Sequence, residues 1–74
     1  PKELCLEVLN FQNPATVEFY ADAMGGRPFA AVEVKDNGSF RVPAAGNVSG
    51  RHDVYILFRG DDGQFFDMDW WQVK

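Results

Sequence analysis

Asn47–Lys74 reads NVSGRHDVYILFRGDDGQFFDMDWWQVK. Within it, Asp53–Phe58 is a nearly continuous apolar run, the pattern of a strand covered on both faces. Gly60-Asp61-Asp62-Gly63 is turn chemistry, since Gly and Asp tolerate the backbone angles of a reversal. Phe66–Val73 then returns, rich in aromatic side chains, with Asp67 and Asp69 set among them. The expectation is a pair of antiparallel strands, adjacent across the Asp61–Gly63 turn.

Working outward from that pair, the remaining chain also alternates with period two. Glu3–Leu9 places Leu4, Leu6 and Val8 on one side and Glu3, Cys5 and Glu7 on the other, a strand with one buried face. Asn10–Pro14 is a loop, because Pro14 disfavours helix at Asn13. Thr16–Ala21 follows as a strand with Val17 and Phe19 on one face and Thr16, Glu18 and Tyr20 on the other. Ala23–Pro28 is the connection of a hairpin, and Phe29–Val34 its return strand, with Ala30, Val32 and Val34 inward. Lys35–Gly38 is a turn in which Asn37-Gly38 suits positive φ. Phe40–Val42 is a short strand stopped by Pro43, and Ala44–Gly50 a loop. No segment sustains a helical period, so the class is all-β, an antiparallel sandwich.

Composition bounds the function. A chain of 74 residues forms one small domain, for which apolar burial and chain entropy nearly cancel. Its one cysteine cannot close an internal disulfide, and one Cys with one His makes no zinc set. Cys5 reads as a buried small apolar residue rather than a reactive thiol. The net charge of −4 with scattered basic residues argues against nucleic acid. No apolar run is long enough to cross a bilayer as a helix. The start at Pro1, without Met, suggests a fragment or a processed piece.

The string VSGRHDVYILFRG followed by FFDMDWWQVK resembles the closing strands of family 6 carbohydrate-binding modules. Those carry V-S-G-x-H-D-[LV]-Y-[LI]-x-F, a variable Gly-rich turn, and F-N-[LM]-D-W-[WF]. The resemblance is specific over Asn47–Lys74 and weaker over Thr16–Val34. It implies a jelly-roll-like, galactose-binding-domain-like sandwich of which residues 1–74 are the C-terminal half. The implied function is non-catalytic binding of polysaccharide or oligosaccharide, extracellular, holding an attached glycoside hydrolase at its substrate. An incomplete sandwich exposes strand edges, so self-association is also expected.

The site residues follow from the same resemblance. Asp67 stands where the modules usually have an Asn at the lip of a loop-end cleft, hydrogen-bonding sugar hydroxyls. Asp accepts such bonds but cannot donate as an amide does. Phe40 is the nearest equivalent of an aromatic wall on which a sugar face stacks, or else a core residue. The two are expected to converge at one loop end. Asp69 matches an Asp near a structural calcium, an ion that takes hard oxygen ligands. The alternative for both carboxylates is a solvated strand face.

Other residues have plainer readings. Trp70 and Trp71, as strand neighbours, point to opposite faces, and both read as core. His52 reads as a structural hydrogen-bonding residue. Asn37-Gly38-Ser39 and Asn47-Val48-Ser49 fit the N-glycosylation acceptor pattern, which recurs by chance. No catalytic constellation is assembled, so the chain is not read as an enzyme. A rival function is a sandwich without a ligand site that packs against a neighbouring catalytic domain.

Overall fold

The structure, a computed structural model, describes residues 2–22, 25–45, 52–61 and 63–74. The V-S-G-R part of the motif at 48–51, the acceptor pattern at Asn47 and the turn residue Asp62 lie outside the described residues. So do Ala23 and Met24 of the hairpin connection.

Six strands make up the regular structure: β1 (Glu3–Leu9), β2 (Ala15–Ala21), β3 (Ala30–Val34), β4 (Gly38–Pro43), β5 (Val54–Arg59) and β6 (Asp67–Val73). The described residues contain no helix. The strands form two three-stranded antiparallel sheets, ordered β4-β1-β6 and β3-β2-β5. The all-β, sandwich-like class is therefore as expected from the alternation.

Side-chain alternation builds the core. Leu4, Leu6 and Val8 of β1 face Val17 and Phe19 of β2 and Ala30, Val32 and Val34 of β3, and all are buried in one cluster. Each of the larger side chains, fully withdrawn from water, contributes about 1.5–3 kcal/mol. β1 and β2 are the centres of their sheets, so they carry the deepest residues. Cys5 is also buried, although it alternates with the inner row.

The expected pairing of the last two strands is overturned. β5 pairs with β2, Val17 opposite Phe58 and Tyr20 opposite Tyr55. β6 pairs with β1, Leu6 opposite Trp71 and Leu4 opposite Val73. The two apolar runs are thus edge strands of opposite sheets, and the described residues between them, 60–61 and 63–66, belong to an arch that crosses the sandwich. The arch is held by the β1–β2 loop rather than by a hairpin ladder. Phe65 O accepts from Gln12 N at 2.6 Å and from Asn13 N at 3.1 Å, and Gln64 O accepts from Asn13 Nδ2 at 2.7 Å. Nor is β5 covered on both faces: Val54, Ile56 and Phe58 are half-buried and Tyr55 is 41% exposed. An edge position without a covering layer explains why a continuous apolar run remains partly wet.

β2 and β3 do pair as a hairpin, with Val17 opposite Val32. Residues 35–37, by contrast, carry the chain from one sheet to the other, and Gly38 takes the positive φ of 133°. Asn37 contributes through its side chain, Oδ1 accepting from Phe11 N at 2.8 Å.

One irregularity resets β6. Glu7 lies opposite Trp70 but Val8 lies opposite Met68, so Asp69 is an extra residue in the strand. Such a bulge reverses which residues face inward on either side of it. Met68, Trp71 and Val73 consequently meet the inner row of β1. Trp71 packs its ring 5.5 Å from that of Phe19. Trp70 turns to the outer face and is 41% exposed. The two tryptophans do take opposite faces, but Trp70 is not core.

Candidate functional site

The end of the sandwich where β1 leaves for β2 and where the arch enters β6 holds a cleft of about 430 Å³. It is lined by Asn10, Gln12, Gln64, Phe65, Phe66 and Asp67. Each side chain has a local reason to be there. Asn10 ends β1 in a left-handed conformation, φ 54°, which Asn tolerates better than most residues. That turn aims its side-chain amide at Asp67, with Nδ2 donating to Oδ2 at 2.8 Å. Gln12 and Gln64 flank the backbone bonds that tie the arch down, and both are exposed.

The rings form the cleft's apolar wall and root it in the core. Phe66 lies nearly parallel to Phe11, with centroids 6.1 Å apart and planes at 7°. It also meets Phe58, at 5.4 Å and tilted by 48°, and Phe65, at 6.5 Å and tilted by 53°. Phe65 is likewise parallel to Phe58, at 6.3 Å. Gly60 makes room for Phe65: a Cβ there would press on the Phe65 ring and stand 2.9 Å from the backbone oxygen of Pro14.

Chemically, the described lining offers one carboxylate acceptor, three primary amides that both donate and accept, and two half-buried phenyl groups. That set can bind an uncharged polyhydroxylated surface with an apolar face. A smaller cavity of about 210 Å³ lies beside Thr16, Glu33, Lys35 and Arg59. Both of its cations are paired: Lys35 Nζ is 2.9 Å from Glu33 Oε1, and Arg59 Nε is 2.7 Å from Oε1 of Glu18, which lies outside the lining.

Asp67 stands at the cleft, but Phe40 does not join it. Phe40 is opposite Leu6 on the β4 edge, half-buried against the core, whereas Asp67 is opposite Leu9 on the β6 edge. Two strand spacings of about 4.8 Å and three residues of about 3.4 Å separate them. The expected convergence of Phe40 and Asp67 is therefore corrected: a residue of β4 whose side chain points into the core cannot wall a cleft built from the β1–β2 loop and the arch.

Asp69 occupies the bulge and is exposed. Calcium requires six to eight oxygens. Among the described residues, no group of three or more His, Cys, Asp and Glu could hold a metal ion. Asp69 by itself does not meet that requirement.

His52 lies at the start of β5, its Nδ1 2.8 Å from Asp22 Oδ2. Asp22, in a left-handed conformation with φ 68°, also donates its N–H to Asp53 O at 2.6 Å. The pair fastens the end of β2 to the entry of β5, away from the cleft.

Asn10, Gln12, Gln64 and Phe65 carried no sequence signal as site residues. They lie in loops without period, and only the crossing of the arch brings them beside Asp67. Comparison of the chain with protein-family models, with curated proteins and with solved structures finds no match.

Proposed function

We propose that this chain is a non-catalytic carbohydrate-binding unit that uses the Asp67 cleft to hold neutral polysaccharide. The observation that carries the reading is the lining itself, a carboxylate and three amides beside two phenyl rings. Sugars present hydroxyls that both donate and accept, and C–H faces that pack on aromatic rings. The resemblance of VSGRHDVYILFRG and FFDMDWWQVK to family 6 carbohydrate-binding modules supports the same ligand class and the same residue, Asp67.

Binding rather than catalysis suits the cleft because glycoside hydrolysis uses a pair of carboxyl groups, and Asp67 is the single carboxylate among the described lining residues. The role would be to raise the effective concentration of glycan at an attached glycoside hydrolase, outside the cell. An exposed, wet site implies weak affinity, on the order of −4 to −8 kcal/mol, millimolar to micromolar.

Titration with xylan, arabinan or β-glucan oligosaccharides, read by NMR, tests this. One of these series should shift the side-chain amides of Asn10, Gln12 and Gln64, and Asp67→Ala should weaken binding by about 1–3 kcal/mol for a lost charged hydrogen bond. Unchanged affinity in a folded Asp67→Ala variant would refute the site. No binding of any glycan would favour the rival, a sandwich that packs on a neighbouring domain.

A further inference from the structure

A sandwich of two three-stranded sheets has four edges, and three of them are blunted. β4 ends in Pro43, which has no N–H to offer a neighbour. β6 is interrupted by the bulge at Asp69 and carries two carboxylates. β3 is short, Ala30–Val34, and packs against β4 of the other sheet. β5, VYILFR, has no Pro, no Gly and no bulge. Its inner residues Val54, Ile56 and Phe58 are half-buried, and outer-face Tyr55 is 41% exposed.

The backbone of β5 is ordered for pairing. Asp22 N donates to Asp53 O, in register with the β2–β5 ladder. In an antiparallel ladder alternate residues turn their N–H and C=O to the same side. Asp53, Tyr55, Leu57 and Arg59 therefore face β2, and Val54, Ile56 and Phe58 turn theirs away from it, on the side where β5 ends its sheet among the described residues.

We infer that β5 is a dimer edge whose occupant is β5 of a second copy, antiparallel about a two-fold axis at Ile56. This register is self-complementary at every position. Val54 falls opposite Phe58 of the second copy and Ile56 opposite Ile56, so the three edge-facing backbone groups meet their like. On the inner face, half-buried apolar side chains cover one another. On the outer face, Tyr55 meets Leu57 of the second copy, and Asp53 meets Arg59 of the second copy. Arg59 directs Nε at Glu18, and a guanidinium has further N–H groups for a second carboxylate. The result is a closed isologous dimer with one six-stranded sheet, β3-β2-β5-β5-β2-β3.

Sedimentation of the whole chain from micromolar to millimolar concentration, with amide hydrogen exchange at both ends of the range, tests the inference. The mass should double, and the amides of Val54, Ile56 and Phe58 should gain protection with concentration. Those of Tyr55 and Leu57 should be protected throughout, because they bond to β2. Tyr55→Lys, a change at an exposed side chain, should weaken the dimer about tenfold or more by setting a charge against Leu57. A chain that stays monomeric at millimolar concentration would overturn the inference. So would a dimer in which Val54, Ile56 and Phe58 still exchange freely, or one that Tyr55→Lys leaves as tight as before.

Discussion

The Asn10 side-chain amide donates to the Asp67 carboxylate at 2.8 Å, joining residues 57 positions apart. This bond links the end of β1 to the start of β6 and sets the carboxylate at the cleft. Asn10 serves twice, through its amide and through its left-handed backbone. The two roles separate by substitution. Asn10→Gly keeps the backbone and loses the bond, and should cost about 0.5–1.5 kcal/mol. Asn10→Ala also strains the backbone and should cost roughly 1–2 kcal/mol more. Denaturant unfolding of the two variants measures the gap, and equal stabilities would refute the backbone role.

The bulge at Asp69 assigns different energies to adjacent tryptophans. Trp71 packs on Phe19 while 36% exposed, so Trp71→Ala should cost about 2–3 kcal/mol, below the range for a fully buried ring. Trp70→Ala, on the outer face, should cost less than about 1 kcal/mol. Thermal or denaturant melts of both variants decide the register. A reversed order would mean that the strand runs without the bulge.

Gly60 is confined by its neighbours rather than by its own φ. A methyl group there meets the Phe65 ring and, at 2.9 Å, the backbone oxygen of Pro14, which has little room to yield. Gly60→Ala should destabilise by about 1–3 kcal/mol, the usual range for overpacking. It should also move the Phe65 resonances, because the ring is the softer of the two obstacles. Wild-type stability with an unmoved ring would contradict this packing.

Glu18 gives the fold an acid-sensitive element. Its carboxyl is held below the ordinary carboxylate value, first by the hydrogen bond from Arg59 and then by that from Tyr20. The side chain is only 18% exposed. A pKa lowered by folding adds stability that is present above the unfolded value and lost as pH falls through the folded one. Stability should therefore decline below the ordinary carboxylate range, and Glu18→Gln should flatten part of that decline. Glu33, lowered in the same way by Lys35, supplies another part. Urea midpoints followed from neutral to acid pH give the readout, and an unchanged slope in Glu18→Gln would exclude the role.

Residue type and spacing set the local features. The faces of β1, β2 and β3 were legible because Leu4, Leu6 and Val8, then Val17 and Phe19, then Ala30, Val32 and Val34 alternate with the pleat, and each of these residues is buried. Asp67 was legible only through its motif, and it does stand at a cleft. Partner choice belonged to the tertiary structure. Residues 60–66 are turn-like by composition, but a segment of that length can close a hairpin or bridge the roughly 10 Å between packed sheets. Its bonds to Gln12 and Asn13, together with the packing of Phe65 and Phe66 on Phe58 and Phe11, go with the bridge. The inward turn of Trp71 depends on one unpaired residue, Asp69, which shifts a strictly two-residue period. No local pattern marks such a shift, because it is decided by the neighbouring strand against which β6 aligns.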